Sequence, residues 1–234
     1  MIVMPANATG WFWHVLARET GRIGHLYSPG ANISVPFPWF PYALDNGAFS
    51  CWDRSENTFD ESRWLLTYPK WLRLLDWARS ATLRPRWAVV PDVPGNAEEP
   101  LRRWEEHRST VVSHGIEPAL AVQDGMVVGD VLSLRDRPSV IAIGGSDEFK
   151  WGSVESWCRS FSRVHVLRVN SPTRLSYLEG LGCESCDGTG WNRGNRRQTS
   201  GLEEWARRDP RPFDEWVSPY VCRQQRGRQR QWAF

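Results

Sequence analysis

Hydrophobic positions along the chain recur in two rhythms. Short apolar runs of extended character fall at residues 2–5, 24–28, 42–45, 87–92, 118–123, 140–144, 164–169 and 184–187, lengths that suit buried strands. Segments with apolar residues at helical spacing lie between most of them, at 11–18, 59–80, 97–113, 126–134, 154–161, 172–180 and 202–207. The second is opened by Asp60 and carries Trp64, Leu65, Tyr68, Trp71, Leu72, Leu75 and Trp77. Asn96 precedes the third and Ser171 the sixth, residue types that start helices. Residues 29–41 hold four prolines and no helical pattern, so a loop is expected where a second helix would lie. Strands alternating with helices predict a parallel sheet, and eight strands predict closure into a (β/α)8 TIM-like barrel, compact and irregular after the second strand.

A chain of 234 residues fits one domain. The expected division is a barrel over 1–200, with a C-terminal helix and Arg-rich tail over 201–234 packed on it or extending from it. Trp64, Trp71, Trp104 and Trp157 sit at helix spacing and are expected to pack helices onto the barrel.

Charge adds an asymmetry. Residues 188–234 carry ten Arg against five acidic residues, so the preceding part is weakly acidic. A basic C-terminal part suits nucleic acid, because Arg neutralises phosphate and pairs with it bidentately. Only Lys70 and Lys150 are lysines among 29 basic residues, so a general preference for Arg is the competing explanation. Five cysteines in a chain of this length argue against a disulfide scaffold and for a reducing compartment. The opening MIVMPANATGWFWHVL lacks the basic start and long apolar core of a signal peptide, and no run approaches a membrane span. A soluble, cytoplasmic protein without a membrane partner is expected.

The chemistry gathers where the strands end. In a parallel barrel the C-terminal strand ends converge on one mouth, and in order they offer Asp45, Asp92, Gln123, a bare backbone at Gly144 and Gly145, then Asp187. Two carboxylates about one glycosidic carbon can divide the work of nucleophile and proton donor. A third carboxylate with an amide and backbone N–H groups suits a purine edge. Each residue alone could equally cap a helix or turn, as Asp92 before VPGN illustrates. Residues 182–197, GCESCDGTGWNRGNRR, add a CxxC pair (Cys183, Cys186) and Arg193, Arg196 and Arg197 beyond Asp187. Alternation along the last strand favours packing for the cysteines over a metal, and a solvated basic loop is the plain reading of the arginines.

The motifs LDNGAFS, PDVPGN, AVQDG, AIGGS and VHVLRVNSPTRLSYLEGLGCESCDGTGW resemble the successive motifs of the tRNA-guanine transglycosylase superfamily. MPANATG and HLYSPG resemble its first two strand ends, so the likeness spans roughly residues 1–197. The short chain and the CDGTGW ending look closer to the phage and bacterial DNA 7-deazaguanine transglycosylases, related to queuosine chemistry, than to the tRNA enzymes. The chain departs from the tRNA enzymes' zinc-binding pattern: only Cys222 follows Asp187, and no His follows His165. No cofactor, zinc included, is therefore expected.

The resemblance implies an enzyme, a pentosyltransferase that exchanges guanine in DNA for a preQ0-like 7-deazaguanine base through a covalent Asp–deoxyribose intermediate. It implies Asp187 as nucleophile and Asp45 as general acid/base, with Asp92, Gln123, Gly144 and Gly145 holding the base. Phe49 or Trp191 would stack on the base or fill the gap it leaves, and Arg193, Arg196 and Arg197 fall where phosphates are held. The partners implied are double-stranded DNA with the target guanine flipped out and a free 7-deazaguanine. The location is the cytoplasm, the host's for a phage-encoded protein. The same chemistry on tRNA, a non-catalytic nucleic-acid-binding barrel and an unrelated sugar hydrolase are the alternatives.

Overall fold

The computed structural model describes residues 1–6, 10–31, 36–53, 55–56, 58–194 and 196–209. Eight strands form one parallel sheet: β1 (Ile2–Pro5), β2 (His25–Tyr27), β3 (Tyr42–Leu44), β4 (Ala88–Val89), β5 (Pro118–Val122), β6 (Val140–Ile143), β7 (Val164–Val166) and β8 (Ser185–Gly188). Each strand pairs with its neighbour in the chain from β2 to β8, and β8 pairs with β1, Met4 lying opposite Asp187. Single parallel bridges join Val3 to Ile23 and Ala6 to Leu26, drawing β1 against β2. The sheet is thus a nearly closed barrel, a (β/α)8 TIM-like fold.

The helices around it are α1 (Trp11–Thr20), α2 (Glu61–Ser80), α3 (Glu99–Ser113), α4 (Val128–Leu132), α5 (Asp147–Ser160), α6 (Pro172–Gly180), α7 (Gly190–Arg193) and α8 (Arg196–Arg208). Side chains alternate across each strand. Ile2, Met4, Leu26, Ala43, Trp87, Val89, Ala119, Ala121, Val140 and Ala142 fill the interior. Their chain neighbours Val3, Leu44, Ala88, Leu120 and Ile141 pack outward with Trp71, Trp104 and Trp157 from the helices. Trp64 is buried as well, in a satellite cluster with Ala48 and Cys51.

Several boundaries differ from the sequence pattern for local reasons. Most strands stop one to three residues earlier than the apolar runs, because the last residues leave the ladder to form the rim. Helix α5 starts at Asp147 instead of 154, since Ser146 Oγ accepts from the Phe149 amide at 3.1 Å. Phe59 lies in a short antiparallel hairpin, Trp52–Asp53 with Thr58–Phe59, so α2 begins only after Asp60, whose carboxylate caps it. Asn96 Oδ1 accepts from the amides of Glu98 and Glu99, whereas the Ser171 hydroxyl bonds Thr173 and caps nothing.

At the C-terminal side, α8 runs through the boundary expected at residue 200, so that division falls inside a helix. The Arg22 guanidinium, ion-paired with Glu179, stacks 3.7 Å from the Trp205 ring and fixes α8 to the barrel. The Arg-rich residues 210–234, with Cys222, lie outside the described residues. Cys183 and Cys186 are buried in the outer layer, and Cys183 Sγ lies 3.3 Å from Cys158 Sγ. Among the described residues no three His, Cys, Asp or Glu side chains converge as a metal site requires. No described helix is long and apolar enough to cross a membrane.

The N-terminal end of the barrel is closed by ions beneath Trp87. Glu184, just before β8, accepts from Arg163 Nε at 2.6 Å and from Arg86 Nε at 2.9 Å, so one carboxylate ties the starts of β4, β7 and β8. Burial alone would raise the Glu184 carboxyl, but the guanidiniums of Arg163 and Arg86 hold it below the ordinary range. A depressed carboxyl stabilises the fold above its unfolded pKa and loses that contribution as pH falls through the folded one. Glu184→Gln therefore costs about 2–3 kcal/mol near neutrality, because two half-buried guanidiniums lose their counter-charge. Urea unfolding of both proteins measures this, and the difference shrinks in acid.

Candidate active site

The C-terminal strand ends meet at the opposite mouth. Asp45 follows β3, Gln123 follows β5, Gly144 follows β6 and Asp187 stands within β8. Alternation sends all four inward, continuing the rows of Ala43, Ala121, Ala142 and Ser185. Asp92, beyond β4, is buried and accepts from Gln123 Nε2 at 2.5 Å and from Asn46 Nδ2 at 2.7 Å. The Asn46 amide also donates to the Val90 carbonyl, and its own oxygen accepts from the Ala48 amide. Asn46 thus links the turn after β3 to Asp92.

Asp187 is 5% exposed. Its Oδ1 receives the Arg168 amide at 2.9 Å and faces His165 Nε2 at 3.2 Å. Asp45 keeps an accessible edge, with Ser28 Oγ donating at 3.2 Å. Burial raises its pKa to about 6, helped by the nearby charges of Asp187 and Asp92 and opposed by the Gly47 amide and the Ser28 hydroxyl. The Asp92 carboxyl is also raised, chiefly by burial, while its bonds to Asn46 and Gln123 pull it back. One carboxylate that keeps its proton up to about pH 6 beside another held by two donors is the division that acid-assisted nucleophilic chemistry needs.

Two expectations need correction. The backbone at Gly144 and Gly145 is not bare. Gly144 donates its N–H to the Val122 carbonyl, and a Cβ there would lie 2.5 Å from Gln123 Nε2, so its glycine serves the close approach of Gln123. Gly145, at φ +72°, gives its carbonyl to the Arg168 guanidinium. Trp191 is 1% exposed and packs into the outer layer under α8, so its ring is not offered to a base.

The remaining residues divide. Phe49, 40% exposed on a 3-10 turn after β3, lies at the mouth, its ring 4.3 Å from the Arg168 guanidinium. Arg193, Arg196 and Arg197 are exposed on α7 and the first turn of α8, beyond the end of β8. They do not join the carboxylate cluster.

Arg168 is the residue the sequence pattern did not offer. It is the one non-glycine with positive φ among the described residues, at 58°, a conformation that costs energy and is kept only where its surroundings insist. Here its amide holds Asp187, while its guanidinium reaches Gly145 and Phe49. It lies beyond β7, inside the run 164–169 that the sequence pattern assigns whole to a strand.

No protein-family model matches the chain, and no curated protein matches it either. The candidate site therefore stands on its own chemistry. A separate cleft of about 520 Å³ lies at the other end of the barrel, among Trp104, Glu117, Arg135 and Arg137. Its Arg108 is tied to Asp136, and it lacks the paired inward carboxylates of the mouth.

Proposed function

We propose that the protein is a base-exchanging transglycosylase that replaces guanine in DNA by a 7-deazaguanine base. The observation that carries this reading is the pair Asp45 and Asp187 at one mouth, the first with its pKa raised to about 6 and the second with one carboxylate oxygen held by two donors. In the first half-reaction an Asp187 oxygen attacks C1′ of a flipped-out deoxyguanosine. The C1′–N9 bond breaks with its electron pair going to the base, and the Asp45 carboxyl gives the departing guanine a proton. In the second, Asp45 accepts the N9 proton of the incoming base, N9 attacks C1′, and the ester bond to Asp187 breaks. Reaching C1′ in a duplex requires extrusion of the nucleotide.

Asp92 and Gln123 are the base-holding pair. The Asp92 carboxylate accepts from the donor edge of a purine, and Gln123, bonded to it, fixes its orientation. Phe49 provides the exposed face for stacking. Exposed arginines beyond β8 suit a phosphate backbone. DNA is preferred to tRNA because the chain lacks the Cys and His residues of the tRNA enzymes' zinc site.

The deciding experiment offers labelled guanine, and separately labelled 7-cyano-7-deazaguanine, with guanine-containing duplex DNA and with tRNA. Label entering DNA is expected. Label in tRNA alone moves the substrate to RNA, and no label in either polymer while a gel shift persists leaves a non-catalytic binding barrel.

The guanidinium of Arg168 occupies the carbonyl and ring that a base would use. Arg168→Ala is expected to tighten binding of free guanine by roughly threefold to tenfold, since a pocket already open loses no affinity to clearing itself. Calorimetric titration measures this. Weaker binding in the variant would mean that the guanidinium belongs to the base site.

A further inference from the structure

Beneath Asp187, inside the barrel, lies a polar line that the proposed chemistry has not used. His165 of β7 and Ser185 of β8 are both fully buried against an apolar interior of residues such as Met4, Trp87, Val140 and Ala142. Ser185 Oγ lies 2.8 Å from His165 Nδ1, and His165 Nε2 lies 3.2 Å from Asp187 Oδ1. The Trp87 ring packs on the imidazole at 4.6 Å between centroids, holding the ring in place from below.

The hydrogens in this line follow from its ends. A carboxylate offers only lone pairs, so the nitrogen facing it carries the hydrogen. In the neutral ring Nδ1 is then an acceptor, and the Ser185 hydroxyl is the donor that meets it. Both donors to the carboxylate, His165 Nε2 and the Arg168 amide, converge on the same oxygen, Oδ1.

We infer that His165 is a positioning residue that commits Asp187 to attack through Oδ2 and helps Asp187 leave again in the second half-reaction. The inference rests on the transglycosylase reading. With Oδ1 held inside the barrel, the oxygen left for bonding to C1′ is Oδ2. In the resulting ester Oδ1 becomes the carbonyl oxygen, still facing His165 and Arg168. When the incoming base attacks, the C1′–Oδ2 bond breaks and its electron pair returns to the carboxylate, whose charge spreads onto Oδ1. Donors already aimed there stabilise that departing carboxylate with no reorganisation. The same donors slightly blunt the carboxylate as a nucleophile, so their removal affects the two halves unequally.

The test measures both halves separately on guanine-containing duplex DNA. Ester formation is followed in a single turnover without free base, as protein–DNA adduct surviving a denaturing gel, and breakdown by a chase with excess guanine. His165→Ala is expected to slow breakdown about tenfold or more while formation changes far less, so that adduct accumulates during turnover. His165→Gln, whose amide N–H can reach Oδ1, is expected to restore most of the breakdown rate. Ser185→Ala loosens the ring without removing it and is expected to shift the balance the same way by less, which keeps the test available if His165→Ala fails to fold.

Equal slowing of formation and breakdown, or no change in either, overturns the inference and leaves His165 a packing residue. A wild-type protein that forms no adduct and exchanges no base overturns the transglycosylase reading itself, a result distinct from an unaltered balance in the variants.

Discussion

On the proposed transglycosylase reading, Asp187→Asn protein is expected to fold and to bind DNA while its base exchange falls by roughly a thousandfold or more, because the group that would bond to substrate is removed. Asn is the informative substitution because its amide oxygen can still accept from His165 and from the Arg168 amide, the two donors at Oδ1. Alanine would leave both donors buried and unmet, and a loss of activity would then mix with a loss of stability. Two readouts check the expectation: incorporation of labelled guanine into duplex DNA, and the protein–DNA adduct on a denaturing gel. Both should vanish while the circular dichroism and the unfolding midpoint stay close to wild type. Exchange at a wild-type rate would remove Asp187 from the chemistry.

At Asp45 activity and stability move in opposite directions. On the same reading, Asp45→Asn would take away the proton given to departing guanine, and ester formation is expected to fall by about 10²- to 10⁴-fold. Wild-type ester formation should decline as pH rises through about 6, where the Asp45 carboxyl loses its proton, and the variant's residual rate should lack that decline. The stability sign follows from the same raised pKa. The folded protein binds this proton more tightly than the unfolded chain, so above about pH 6 the native state holds a charge that burial disfavours. Removing the charge stabilises the fold by about 2 kcal/mol around pH 8, an effect that fades as pH falls from about 6 and is gone below about 4. Urea unfolding at both pH values measures it. A variant less stable at the higher pH would mean that Asp45 holds the mouth together instead of straining it.

The barrel was legible in the sequence because strands buried on both faces read as short apolar runs, and here those runs take turns with segments of helical spacing. Ile2–Pro5 and Pro172–Gly180 fall where their spacing put them, Asp60 caps its helix, and Asn96 takes the amides of Glu98 and Glu99 at the start of its own. The strand-end rule also drew Asp45, Gln123, Gly144 and Asp187 to one mouth, since their parity follows from the apolar residues before them. What stayed hidden depends on contacts between distant segments. Arg168 adopts positive φ because Asp187, Gly145 and Phe49 hold it there, and no local residue preference announces that. His165 looked like one more residue of an apolar strand until Ser185 and Asp187 were beside it. Trp191 follows a polar turn, as a residue stacking on a base would, but its burial is decided by α8 arriving over it.

The pairing of β8 with β1 has a consequence for how the protein comes into being. Met4 of the first strand pairs with Asp187 of the last, which is synthesised only after every other strand of the barrel. Contacts so far apart in sequence form late, because the entropy of closing the loop must be met before the pairing repays it. On the ribosome, β1 therefore waits with an open edge, and the mouth that brings Asp187 to face Asp45 cannot exist in any shorter nascent chain. The inward carboxylates of the mouth come together only once the last strand has left the tunnel.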